Sequence, residues 1–210
     1  MAFKRTKINI LGVLVDDISY DSAVSAILDM AKSKNRGKYV VTVNSEFVMK
    51  ARKERKFAQI LAKSDLAVAD GIGVAKSKLI FGGREQNRIT GVDLVESICK
   101  ECNDKPIGIG FLGGFDGVAE EVAVRQKKLN PGLNVVIAEP GDPTIGYDLR
   151  LKERFSEVGR VDILFVAYGM GRQEFFIERM REKLDVGVFI GVGGAFDYIA
   201  GVKKRAPKFV

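Results

Sequence analysis

Short runs of β-branched and apolar residues alternate along the chain with stretches whose apolar positions recur every three or four residues. The first pattern predicts strands and the second amphipathic helices. Residues 7–11 and 13–15 flank Gly12 and read as a small hairpin. In residues 20–34, Ala23, Val24, Ala26, Ile27 and Met30 fall on one helical face. A strand is predicted over 38–43, a helix over 46–62 with a break near Lys53, and a strand over 66–69. A helix running to about Phe81 and a polar loop, residues 82–90, follow. The second half repeats the rhythm, with strands over 107–112, 133–138, 162–166 and 186–190. Between them lie helices over 92–102, 116–129, 147–158 and 174–184, with Asp116 placed to cap its helix. This alternation predicts an α/β fold, a mainly parallel, Rossmann-like sheet flanked by helices and preceded by the hairpin. No linker or fixed-period repeat divides residues 1–210, which read as a single domain.

In open α/β sheets ligands bind beyond the carboxyl ends of the strands. Those ends carry Thr42 and Asn44, Asp70-Gly71, Gly113-Gly114, the Gly169–Gln173 turn, and Gly191–Gly194 with Asp197 just beyond. Glycine lets the backbone approach a ligand closely, and helix N-termini attract phosphate. A carboxylate, small polar groups and several such turns suit a nucleotide-linked substrate.

Composition narrows the chemistry. The chain has no His, so imidazole acid–base catalysis, His-based nucleophile activation and His metal ligation are excluded. Any general base must be Asp, Glu, Lys, Tyr or Cys. The two cysteines form a C-x-x-C, Cys99 and Cys102, but Val95, Ile98, Cys99 and Cys102 trace one helical stripe. That stripe, at the end of a helix where no dipole lowers a thiol pKa, predicts core rather than a redox pair. No apolar run approaches the roughly 20 residues that span a bilayer, and the start lacks the apolar core of a signal peptide. The expected location is therefore cytoplasmic. Net charge is +7, with one basic cluster at Lys50, Arg52, Lys53, Arg55 and Lys56 and another at Lys203, Lys204, Arg205 and Lys208. The first reads as a solvated face. The second lies next to the last glycine-rich turn, where a membrane surface or a phosphorylated substrate would account for it. No RNP-like aromatic motif or zinc-finger spacing points to nucleic acid.

One motif is deceptive. Gly108-x-Gly110-x-x-Gly113 matches the dinucleotide fingerprint, and Glu139 ends the next strand where a ribose-binding acid would sit. The fingerprint needs its first glycine at the turn after a strand. Ile107, Ile109, Phe111 and Leu112 instead put Gly108 and Gly110 inside a strand, with the turn at Gly113-Gly114. An NAD-dependent oxidoreductase is the alternative this motif would support, and a basic nucleic-acid or membrane-surface module is a third.

At the strand ends the sequence resembles the WecG/TagA/CpsF family of bacterial glycosyltransferases. The likeness is carried by Thr42-Val43-Asn44-Ser45-Glu46, Ala69-Asp70-Gly71-Ile72-Gly73, Arg88-Ile89-Thr90-Gly91-Val92-Asp93 and Phe111-Leu112-Gly113-Gly114. It continues through Gly169-Met170-Gly171-Arg172-Gln173-Glu174, Gly191-Val192-Gly193-Gly194-Ala195-Phe196-Asp197 and Ala200-Gly201 to Arg205-Ala206-Pro207. Val43 and Gly171-Arg172 depart from the family's usual Thr-Pro-Asn and Pro-Lys-Gln-Glu, which touches loop rigidity and spares the polar residues. The TagA branch implies inverting transfer of N-acetylmannosamine from its UDP-sugar to undecaprenyl-diphosphate-linked N-acetylglucosamine, priming the linkage unit of wall teichoic acid. Members usually continue past Arg-Ala-Pro with a segment bearing aromatic and Arg residues. The resemblance thus implies that residues 1–210 stop short of a membrane-associating segment, leaving apolar surface through which copies could associate as a homo-oligomer.

Such a transfer needs a base for the acceptor hydroxyl and a partner for the departing diphosphate. No D-x-D motif is present, so neither a metal nor another cofactor is expected. Asp70, where a strand gives way to glycine, is the candidate base; its plainer reading is a helix N-cap. Asp65, before the same strand, lies at the wrong end of the sheet. Arg88 is the candidate diphosphate or acceptor-phosphate partner. Gln173, Thr42, Asn44, Gly193, Gly194 and Asp197 are the candidate donor contacts, Asp197 because a carboxylate accepts from ribose hydroxyls. The expected partners are a UDP-sugar and a lipid-linked acceptor met at the inner face of the cell membrane, with no nucleic acid.

Overall fold

The computed structural model describes residues 6–85 and 87–204. A hairpin of β1 (Lys7–Ile10) and β2 (Val13–Asp16) opens the chain and is followed by α1 (Tyr20–Lys32) and β3 (Lys38–Val43). Next come α2 (Ser45–Lys53), α3 (Arg55–Ala62), β4 (Leu66–Ala69), α4 (Ile72–Ile80) and α5 (Gly91–Glu101). The second half runs β5 (Ile109–Gly113), α6 (Val118–Leu129), β6 (Val135–Glu139), α7 (Asp148–Val158) and β7 (Val161–Ala167). It ends with α8 (Arg172–Met180), β8 (Val186–Gly191) and α9 (Ala195–Ile199).

β3 to β8 form a six-stranded sheet in the order β4-β3-β8-β7-β5-β6, and each neighbouring pair is parallel. Alternate residues of each central strand feed opposite cores, because side chains point to opposite faces. Val40, Val188, Ile190, Ile163 and Phe165 pack with α1, α5, α6 and α9. Tyr39, Val41, Phe189, Leu164 and Val166 pack with α2, α3, α7 and α8. The predicted α/β architecture, with its N-terminal hairpin, is what the chain adopts.

The hairpin pairs only with itself, yet it covers the outer edge of β4: the Asp16 carboxylate accepts from Ala67 N–H at 2.8 Å. An uncovered edge would present unpaired N–H groups to another chain. Cys99 and Cys102 are buried and free, as the stripe predicts. Burial pushes the Cys102 thiol up to about 11 and holds Cys99 higher still.

Several boundaries differ from expectation. Asp116 does not cap α6: left-handed Gly117 intervenes as N-cap, and no side chain caps this end. β6 starts at Val135 because Leu133 closes a turn, its N–H bonding the Asn130 carbonyl. β5 starts at Ile109, with Gly108 immediately before it on the same ladder: the Gly108 carbonyl accepts from Asp162 N–H at 2.9 Å. Gly110 sits mid-strand, where a Cβ would lie 2.6 Å from Leu164 and 2.8 Å from Ile137. Core packing, not phosphate, is what those glycines serve. Glu139 pairs with Arg154 at 3.1 Å.

Candidate active site

The carboxyl ends of β4, β3, β8 and β7 lie side by side, and this edge gathers most of the residues singled out above. Asp70 extends the β4 ladder, its N–H bonding the Val43 carbonyl at 2.7 Å. Gly71, with φ 118°, is the N-cap of α4, so Asp70 is not the helix cap that its plainer reading required. A side chain at that φ would be strained, and glycine there lets the chain turn directly after Asp70. Asp65 lies at the opposite edge, as expected, where it binds Tyr39 N–H at 2.9 Å and Lys38 at 3.0 Å.

Arg88 is exposed on the polar loop. The N–H of the next residue, Ile89, bonds the Ala69 carbonyl at 2.7 Å, which fixes the Arg88 backbone beside Asp70. Thr90 then caps α5 through Asp93 N–H at 3.2 Å. The start of this loop is tied down as well, since Asp17 accepts from Arg84 and Glu85 N–H at 2.8 and 3.0 Å. The loop therefore runs from the hairpin to the strand ends under restraint at both limits.

Thr42 is buried, and its hydroxyl donates to the Gly191 carbonyl at 2.9 Å across the β3–β8 pair. Asn44 caps α2 by accepting from Phe47 N–H at 3.1 Å, a bond that uses its oxygen and leaves the amide hydrogens out of the cap. Gln173, on the first turn of α8, accepts from Gly193 N–H at 2.9 Å. It thereby ties the turn after β7 to the turn after β8. Gly194 is the N-cap of α9. Asp197 lies in that helix's first turn, buried, and pairs with Lys203 at 2.6 Å. The basic C-terminal cluster is thus joined to the site through Asp197; its members Arg205 and Lys208 fall outside the described residues.

Glu174 was not singled out by sequence reasoning. It is 0% exposed. Its Oε2 accepts from Gly171 N–H at 2.5 Å, and burial pushes its pKa up to about 7 against the lowering effect of Gln173, Gly171 N–H and Lys50. The available signal was the glutamate three residues after the helix N-cap, the spacing of a capping box. Lys50, assigned above to a solvated face, is also at this edge: it pairs with Glu54 at 2.5 Å and reaches over the Phe57 ring, beside Gly171.

The chain is thus a doubly wound α/β protein that brings a carboxylate, an arginine loop and glycine turns to its strand ends, the edge at which proteins of this class bind ligands. Comparison with known proteins makes it a glycosyltransferase. The profile of the glycosyl transferase WecG/TagA/CpsF family matches residues 8–210, and the chain belongs to that family. It is 32% identical over 193 residues to the N-acetylglucosaminyldiphosphoundecaprenol N-acetyl-beta-D-mannosaminyltransferase of Bacillus spizizenii, covering 92% of this chain and 74% of that protein. The enzyme of the same name from Bacillus subtilis is 33% identical over 83% of this chain and 67% of its own length. That from Staphylococcus aureus is 28% identical over 96% and 78%. Those relatives are named for the sugar and the lipid-linked acceptor that the sequence-based expectation gave, and their names lend nothing to an oxidoreductase.

Proposed function

We propose that this enzyme transfers N-acetylmannosamine from UDP-N-acetylmannosamine to undecaprenyl-diphosphate-linked N-acetylglucosamine, inverting the anomeric centre. The observation that carries the reading is the meeting of Asp70, the Arg88 loop and the Gln173–Gly193 tie at one sheet edge, in a chain similar to enzymes named for this acceptor and sugar. Asp70 takes the proton of the acceptor hydroxyl as its oxygen attacks the anomeric carbon. The bond from that carbon to the diphosphate breaks, and UDP leaves with the electron pair. Arg88 and the N-terminal ends of α8 and α9 stabilise the charge gathering on the diphosphate. Gln173, Asn44, Gly193 and Gly194 contact the donor, while Thr42 holds the β3–β8 edge beneath it. Asp197 serves the donor hydroxyls with its charge shared by Lys203.

Metal independence belongs to the same proposal. The charge of the departing diphosphate is given to Arg88 and the helix ends; among the described residues no three His, Cys, Asp or Glu side chains gather as a ready-made ion site. Among the described residues no helix is long and apolar enough to cross a membrane. The lipid-linked acceptor would be met at the bilayer surface, with Lys203 and Lys204 towards the anionic headgroups.

The test is transfer of labelled N-acetylmannosamine from the UDP-sugar to a lipid-linked acceptor, with and without EDTA, beside calorimetry with UDP and NAD. Transfer unaffected by EDTA and binding of UDP are expected. Binding of NAD without UDP, or a strict need for Mg²⁺ or Mn²⁺, would overturn the reading.

A further inference from the structure

Two adjacent side chains at the start of α8 hold the two turns that crown the strand ends. Glu174 Oε2 accepts from Gly171 N–H in the turn after β7, and Gln173 Oε1 accepts from Gly193 N–H in the turn after β8. The other halves of these side chains, Gln173 Nε2 and Glu174 Oε1, are buried with no well-aligned hydrogen bond, but the amide still favours the neighbouring Glu174 carboxylate, lowering its pKa against burial. Both crowd Gly191, where a Cβ would lie 2.8 Å from the amide nitrogen and 3.3 Å from the carboxylate oxygen. Any side chain at 191 would push this pair apart.

The polarity of the cluster is what gives it direction. Gly171 N–H, Gly193 N–H and the Gln173 amide are donors; Gln173 Oε1 and both Glu174 oxygens are acceptors. Donors and acceptors match only when Glu174 is ionised and the Gln173 oxygen faces Gly193. A proton on Glu174 replaces an acceptor by a donor, and a glutamine at 174 does the same. Turning the Gln173 amide over then moves the donor–donor conflict to Gly193 without removing it.

We propose that Glu174 is a positioning residue: its carboxylate fixes which way the Gln173 amide points and, through that amide, sets the Val192–Gly194 turn where the donor binds. The last clause rests on the donor-site assignment above; the effect on Gly193 does not. The titratable and charged groups that act on Glu174 are Lys50 from α2 and Tyr39 from β3, with Gly191 of β8 against it; Glu178 and Arg181, further along α8, act on Tyr39. Burial opposes the carboxylate, while Gln173, the Gly171 N–H and, least, Lys50 favour it, which puts its titration at about 7. The same charge that orients Gln173 is therefore within reach of ordinary pH.

Amide hydrogen exchange, resolved by NMR at Gly171 and Gly193 and expressed as protection factors between pH 5.5 and 8.5, tests this in wild type and Glu174→Gln without nucleotide. In wild type, Gly193 protection should fall about tenfold as pH drops through 7, the loss expected for one buried hydrogen bond. In Glu174→Gln it should be low throughout, with no pH dependence. A purely structural glutamate would alter Gly171 alone. Gly193 protection that is flat with pH in wild type overturns the proposal, as does unchanged Gly193 protection in Glu174→Gln. Where that variant fails to fold, the wild-type pH series decides by itself. Calorimetry with UDP separates the two claims: wild type that does not bind UDP defeats the donor-site reading while the Gly193 result stands. Wild type that binds UDP, with Glu174→Gln binding equally well, removes Glu174 from donor positioning.

Discussion

The two aspartates flanking β4 show how place, rather than residue type, assigns chemistry. Asp70 stands at the carboxyl end, beside the Arg88 loop, and Asp65 at the other, bonded to Tyr39 N–H and Lys38. Asp70→Asn should keep UDP affinity and lose about two to four orders of magnitude in turnover, the usual worth of a general base. Asp65→Asn should leave turnover intact and cost about 1–2 kcal/mol of stability through its weakened bonds. Equal turnover of Asp70→Asn and wild type would remove Asp70 from the mechanism. Glu174 poses the opposite case, a charge that costs stability. Its folded pKa of about 7 lies above the ordinary 4.5, so the folded state binds the extra proton between those values. Its contribution is therefore fully favourable below about 4.5 and is lost as pH rises through 7. Measured against Glu174→Gln, wild type should lose on the order of 2–3 kcal/mol of unfolding free energy from pH 4.5 to pH 8. A difference between the two that is constant with pH would contradict the burial that raises this group.

Among the elements, the hairpin carries an avoidable strain. Leu11 and Gly12 form its two-residue turn with φ 50° and 96°, and Leu11 is exposed. Positive φ at both central positions suits Asn-Gly better than Leu-Gly, because a left-handed leucine crowds its own Cβ. Leu11→Asn should stabilise by about 1 kcal/mol and raise the melting temperature by about 2–4 °C. A lower melting temperature would mean that Leu11 contributes packing that its exposure does not reveal. The α5 cysteines belong to the same scale. Buried with raised pKa values, Cys99 and Cys102 should react with a thiol reagent only as the protein unfolds. Prompt reaction of both in the native state would revive the redox reading of C-x-x-C.

For the whole molecule, the proposed encounter with a lipid surface rests on the net charge of +7 and the basic end near Asp197. Each exposed Lys near anionic lipid contributes about 1 kcal/mol, within a Debye length. Binding to phosphatidylserine or phosphatidylglycerol vesicles should therefore weaken as salt rises from about 0.05 to 0.5 M. Lys204→Glu should weaken it more than Lys203→Glu at low salt only if Lys203 is held by Asp197 in solution. Vesicle binding indifferent to salt would leave the basic end as a solvated tail.

Much of this was legible along the chain. Apolar periodicity separated strands from helices, and parallel β–α alternation obliges every strand to end at one edge. Thr42, Asn44, Asp70 and Gln173 could therefore be placed at one edge of the sheet before any contact was known, and Asp65 at the other. The break near Lys53 and the burial of Cys99 and Cys102 followed from the same periodicity. What local pattern does not encode is who meets whom across the sheet. The order β4-β3-β8-β7-β5-β6, the hairpin laid over β4, the pairing of Asp197 with Lys203 and the closure of Gln173 onto Gly193 all join residues through tertiary packing. Glu174 is the clearest instance: as text it is one more acidic residue in a helix's first turn. Only the packing of α2, β3 and β8 around it removes the water, and removing the water is what turns a surface-type charge into a buried one that holds the Gly171 turn beside Gln173.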